Sequence, residues 1–186
     1  QFIDYLYRII ERENARVIEH RDMLDKFKAQ IDGGSGLSDN DLRALSRLAG
    51  LYAVSVEKSP VDTLSALTPR VLPVPPSLIL AHAIAEGNWN ALSENASLNL
   101  FDIPCTPSEC EDTSLEKPVN AKYRDINGVI EDYISNLNTN SLFSGFRDKR
   151  LSDFEEGKVL NGESYQEFVK PLVSSSEVYL QMDSLF

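Results

Sequence analysis

Glu86 is the residue whose placement most invites chemistry. It closes the run Leu78-Ile79-Leu80-Ala81-His82-Ala83-Ile84-Ala85, in which every residue but His82 is aliphatic or small. A carboxylate ending such a helix loses hydration, which favours its neutral acid form. A neutral carboxylic acid can protonate a leaving oxygen, the task of the general acid in glycoside hydrolysis. The residue types also fit a plainer reading, in which Glu86 is the first exposed residue beyond a buried helix. His82 stands four residues earlier, so a helix would put both on one face. It is either a satisfied helix histidine or a partner that tunes Glu86, since a charged imidazole would favour the ionised carboxylate. Trp89 is either a core residue or a platform for a sugar ring.

Glycoside hydrolysis generally uses a second carboxylate. The candidates are Asp102, Glu109, Glu111, Asp112 and Glu116, all in the irregular stretch 95–124, where they equally suit a solvated acidic loop. The substrate's own acetamido group, or one positioned water, could serve instead. Sugar rings present apolar C–H faces, so aromatic residues should line a cleft. Tyr123, Phe101 and Tyr133 are the candidates, with Tyr123 favoured because a mid-loop tyrosine has least reason to be core. Cys105 and Cys110 lie in the same stretch. Two cysteines make a poor zinc site, and neither His20 nor His82 sits in a motif that would pair with a catalytic thiol. A small-loop disulfide fits best and would imply an oxidising compartment.

These residues need helices to hold them. Phe2, Leu6, Ile9, Ile10, Val17, Leu24 and Phe27 recur at three-to-four spacing and predict one long amphipathic helix over 2–30. Ser38 followed by Asp39 and Asp41 predicts an N-cap and a helix over 39–54. A short helix is expected between Pro60 and Pro69. Pro75 or Pro76 suits the first turn of a buried helix over 76–86. Ile126, Val129, Ile130, Tyr133, Ile134 and Leu137 predict a helix over 125–138. Weaker helical patterns occupy 146–157 and 163–184. The fold class is therefore mainly α, with at most a small β-hairpin in 95–124.

Composition limits the function further. The 186 residues carry a formal net charge of -11 and 42% hydrophobic residues. That suits a folded domain and argues against nucleic acid or an anionic membrane as partner. A glycan is compatible with it. No run of 18 apolar residues offers a membrane span. Nothing in the pattern calls for a metal or another cofactor. Gln1 begins inside a helical pattern without an initiator Met, so a signal or anchor removed upstream is expected.

The segment Val74-Pro75-Pro76-Ser77-Leu78-Ile79-Leu80-Ala81-His82-Ala83-Ile84-Ala85-Glu86-Gly87-Asn88-Trp89 resembles the Bax-like branch of the glucosaminidase group, glycoside hydrolase family 73. Asn99-Leu100-Phe101, the pair Cys105 and Cys110, Asn136-Leu137-Asn138-Thr139, and Phe2-Ile3-Asp4 with Glu13-Asn14 resemble further motifs of that branch, in order along nearly the whole chain. The resemblance implies a lysozyme-like fold, with residues 1–70 as a helical extension and 71–186 as the glucosaminidase domain. It places Glu86 on the catalytic acid. It implies cleavage of β-1,4 linkages in N-acetylglucosamine-containing glycan, above all peptidoglycan, in a bacterial periplasm or envelope. Trp89, Asn99, Phe101, Tyr123, Tyr133 and His82 are the expected substrate-binding residues. The branch usually carries Ser where this chain has Gly87, Gly where it has Asn88, Gly where it has Asp102, and Gln where it has His82. These departures leave an alternative: a catalytically inactive lysozyme-like module that binds cell-wall glycan or an envelope protein.

Overall fold

The computed structural model describes residues 2–56, 59–86, 98, 100–101, 103, 123, 125–158 and 162–172. Among them the chain is mainly helical, as the periodicity predicts, and contains no strand. Seven α-helices are described: α1 Phe2–Asp32, α2 Asp39–Leu51, α3 Pro60–Leu67, α4 Pro76–Glu86, α5 Ile126–Thr139, α6 Ser144–Glu155 and α7 Gly162–Val169. Short 3-10 turns follow α5 and α7, at Ser141–Phe143 and Lys170–Leu172. No described helix is long and apolar enough to cross a membrane. Trp89, Asn99, Cys105, Cys110 and the acidic candidates Asp102, Glu109, Glu111, Asp112 and Glu116 lie outside the described residues. So do Gly87, Asn88 and the end of the 163–184 pattern beyond residue 172.

The contacts divide into two compact units, neither continuous in sequence. Unit 1 comprises Gln1–Glu11, Pro75–Ile134 and Leu172–Phe186, and unit 2 comprises Arg12–Val74 and Ser135–Pro171.

Unit 2 is held around a buried strap. Val71, Leu72 and Val74 are at most 2% exposed, although 68–74 forms no helix beyond a turn. Buried peptide groups outside regular structure need partners. Here polar side chains from distant helices supply them. Asn14 of α1 donates Nδ2 to the Val74 carbonyl at 2.7 Å and accepts the Val74 N–H on Oδ1 at 2.9 Å. Arg21 reaches Thr68 O at 2.5 Å, Asn138 reaches Leu72 O at 3.2 Å, and Arg150 reaches Pro73 O at 3.4 Å. Asn14 and Arg21 occupy positions within the apolar stripe of α1, where the sequence shows only gaps in the pattern. Within the same unit α6 packs on α7, and α2 on α3.

Helix ends show why some boundaries are legible. Ser38 caps α2 as expected, its hydroxyl accepting the Asp41 N–H at 3.2 Å. The same helix stops at Leu51, three residues before its predicted end. Val54 N–H bonds Ala49 O at 2.8 Å and Ala53 N–H bonds Gly50 O at 3.4 Å, the paired closing bonds of a Schellman motif. The residue at the left-handed position is Ala53, with φ 53°. Glycine usually marks that position, so the sequence carries no stop signal. Arg70 Nη1 compensates by donating to the carbonyls of Tyr52 and Ala53, both at 3.1 Å.

In unit 1, α4 begins at Pro76, whose fixed φ suits a first helical turn and whose missing N–H costs nothing there. Leu78, Ile79, Ala81, His82, Ala83 and Ala85 are buried. The burial is not complete around the helix: Ile84 is 39% exposed and Ser77 lies on the same outward face. Helix α5 starts at an Asp125 cap, whose Oδ1 accepts the Gly128 N–H at 2.9 Å.

Candidate functional site

Helix geometry brings His82 and Glu86 together, because residues four apart stand one above the other. His82 Nε2 lies 3.1 Å from Glu86 Oε1. The other imidazole nitrogen, Nδ1, lies 2.7 Å from the hydroxyl of Tyr133 on α5. The three groups form one row, Tyr133 to His82 to Glu86. Burial falls along it: Tyr133 is 3% exposed and His82 4%, while the Glu86 side chain retains 16% exposure. The carboxylate is thus the end of the row that solvent can reach.

Phe101 closes the inner end. Its ring stacks on Tyr133 with centroids 3.9 Å apart and planes 23° apart, and it lies tilted against His82 at 5.5 Å. Burial, and then the Glu86 carboxylate, push the Tyr133 phenol well above its ordinary range. Tyr133 therefore keeps its proton throughout the neutral range and can donate. The arrangement can hold a carboxyl group in one orientation and deliver or accept a proton at a partly exposed oxygen.

The structure gives the other sequence candidates different surroundings. Tyr133 and Phe101 are buried, and their rings stack on one another. Tyr123 is half-buried along α5: its hydroxyl donates to Asp132 Oδ2 at 2.9 Å, and a side chain at Gly128 would meet its ring at 3.6 Å. Tyr133 as the partner of His82 was missed by sequence reasoning, because 51 residues separate them. The available signal was a tyrosine in the apolar stripe of α5, since a buried phenol requires a hydrogen-bond partner.

Unit 2 holds a groove of about 500 Å³ lined by residues that include Arg21, Leu24, Leu64, Thr68 and Phe154. None of the candidate site residues lines it. The Arg21 guanidinium lies 5.6 Å from the Phe154 ring centroid, and the groove mixes both signs of charge. No group of three or more potential metal ligands occurs among the described residues.

The site is therefore a carboxylate–imidazole–phenol row on a mainly helical chain. In sequence the chain is similar to Protein bax of Escherichia coli (strain K12), with 26% identity over 155 residues. That alignment covers 80% of this chain and 54% of the relative, so the chain spans about half the relative's length. No family model matches the chain, and no solved structure matches it.

Proposed function

We propose that the protein is a glycoside hydrolase that cleaves β-1,4 linkages of N-acetylglucosamine-containing glycan, with peptidoglycan as substrate and Glu86 as general acid. The observation that carries this reading is the position of Glu86. It ends a helix buried on most sides, its carboxyl is held by His82, and it keeps contact with solvent. The likeness to Protein bax and the resemblance to the Bax-like glucosaminidase branch support the reading. A general acid must sit where its proton is retained until a leaving oxygen needs it. The row behind Glu86 supplies fixed orientation for that transfer.

The test uses purified peptidoglycan, followed by turbidity and by the masses of released fragments. Glu86→Gln preserves shape and can still accept the His82 hydrogen bond on its amide oxygen, but carries no transferable acid proton. Acid–base assistance contributes roughly 10²–10⁴-fold, so the variant should lose at least the lower figure while its melting temperature holds or rises. Equal cleavage by both proteins would place the acid elsewhere. Glycan binding without cleavage by the wild type would instead establish the inactive module that the departures at Gly87 and Asn88 leave open.

A further inference from the structure

We propose that Tyr133 is a positioning residue that fixes the tautomer of His82, so that Nε2–H donates to Glu86 Oε1 and the acid proton is carried on Oε2. The inference rests on the reading of Glu86 as general acid, but its first readout does not require any cleavage.

A neutral imidazole has one N–H and one bare nitrogen, and the partner of each nitrogen decides which is which. At 2.7 Å from Nδ1, the Tyr133 hydroxyl is both buried and protonated. A buried hydroxyl without an acceptor loses the worth of a hydrogen bond, so Tyr133 donates to Nδ1. The single imidazole proton is then on Nε2, which faces Glu86 Oε1 at 3.1 Å. Oε1 accepts that bond whether Glu86 is neutral or ionised. When Glu86 is neutral, its proton must therefore sit on the other oxygen, away from the imidazole. That is the oxygen from which a leaving group can take it. After transfer, the same Nε2–H remains on the new carboxylate as a charge-assisted donor.

The opposite tautomer would spoil the acid. With the proton on Nδ1, Nε2 becomes an acceptor and draws the Glu86 proton into a hydrogen bond with the imidazole. The proton is then sequestered between the two residues. Among the described residues, two titratable groups face the His82 ring: Glu86 from its own helix and Tyr133 from α5. Phe101 packs on the ring through carbon. The sequence contains two histidines, and the other, His20, has its own Nδ1 2.8 Å from the Tyr52 hydroxyl in unit 2. It is a built-in reference.

The experiment is ¹⁵N NMR of the imidazole nitrogens in the full chain, with His82→Gln used to assign the signals. The expected wild-type result is a His82 imidazole that, when it holds a single proton, carries it on Nε2. In the Glu86→Gln background, whose amide can donate to Nε2 as well as accept from it, adding Tyr133→Phe should lose that preference to a tautomer mixture, while the His20 signals stay put. A wild-type His82 protonated on Nδ1, or a tautomer unchanged by Tyr133→Phe in the Glu86→Gln background, overturns the proposal. On peptidoglycan, Tyr133→Phe should lower kcat roughly fivefold, about the worth of one hydrogen bond, with little change in KM. Adding Tyr133→Phe to His82→Gln should then cost nothing further, because an amide always keeps donor hydrogens. An equal loss in both backgrounds would reveal a packing role only. If neither wild type nor variant cleaves glycan, the tautomer result still decides this proposal, and only the reading of Glu86 falls.

Discussion

Each unit of the molecule contains a histidine whose Nδ1 meets a tyrosine hydroxyl, and the two pairs end differently. In unit 2, His20 meets Tyr52 at 2.8 Å, and burial holds the Tyr52 phenol up to about 12. Burial, with Arg16 beside it, lowers the His20 affinity for a proton. The backbone carbonyl of Tyr52 is itself taken by Arg70. In unit 1, His82 meets Tyr133 at 2.7 Å, and its second nitrogen meets a carboxylate that solvent can reach. The difference extends beyond the pairs. The buried polar groups of unit 2 mostly terminate on carbonyls of their own fold: Asn14, Arg21, Asn138 and Arg150 on the strap, and Arg147 on Leu137 and Asn140 at the end of α5. Buried polarity that closes on backbone is structure, whereas buried polarity that leads out to a titratable group is available for chemistry.

Substitutions on the two sides should therefore fail in different ways. Glu86→Gln should have the largest effect, on turnover and not on folding. Asn14→Ala should do the reverse. It strands the buried N–H and C=O of Val74, at a cost of about 2–3 kcal/mol by denaturant unfolding. Turnover well below the melting temperature should stay near wild type. A stability loss from Asn14→Ala below about 0.5 kcal/mol would mean that water replaces the clamp.

His20→Gln sharpens the contrast at smaller scale. The folded protein binds a proton at His20 less readily than the unfolded chain, whose His20 titrates near 6.5. The pair's contribution is thus fully present above that value and is lost as pH falls through the lowered folded one. Thermal melts between about pH 7 and pH 5 should show a shallower acid loss in the variant, because the unfolded state no longer takes up that proton. Glycan cleavage should be unaffected. An unchanged slope would remove His20 from the acid response. The smallest effect is expected from Ala53→Gly: relief of the left-handed alanine should stabilise α2 by under about 1 kcal/mol, measured as a rise in denaturation midpoint.

What the sequence made legible follows the same physics. The sequence made α4 legible, because a proline suits its first turn and an almost unbroken apolar run fills it. The His82–Glu86 contact was legible too, since four-residue spacing on a helix leaves little choice. Helix α1 and α6 end where Gly34 and Gly157 take positive φ, which is a readable mark. Helix α2 ends on Ala53, which is not. The strap clamps and the Tyr133 partner depend on contacts between residues 47 to 77 positions apart, and no local pattern encodes those. A polar residue inside an apolar stripe, such as Asn14 or Tyr133, was the only local trace of them.

The central claim concerns a proton on Glu86, and leaving-group dependence tests it most directly. Natural glycan departs as a poor alkoxide and needs protonation, whereas an aryl chitooligosaccharide departs as an acidic phenol that does not. Hydrolysis of both should be compared in wild type and Glu86→Gln. The account predicts at least a roughly 10²-fold loss on glycan but no more than about a tenfold loss on formation of the free phenol. A loss of the same size on both substrates would contradict it, because Glu86 would then be acting on the sugar and not on the departing oxygen.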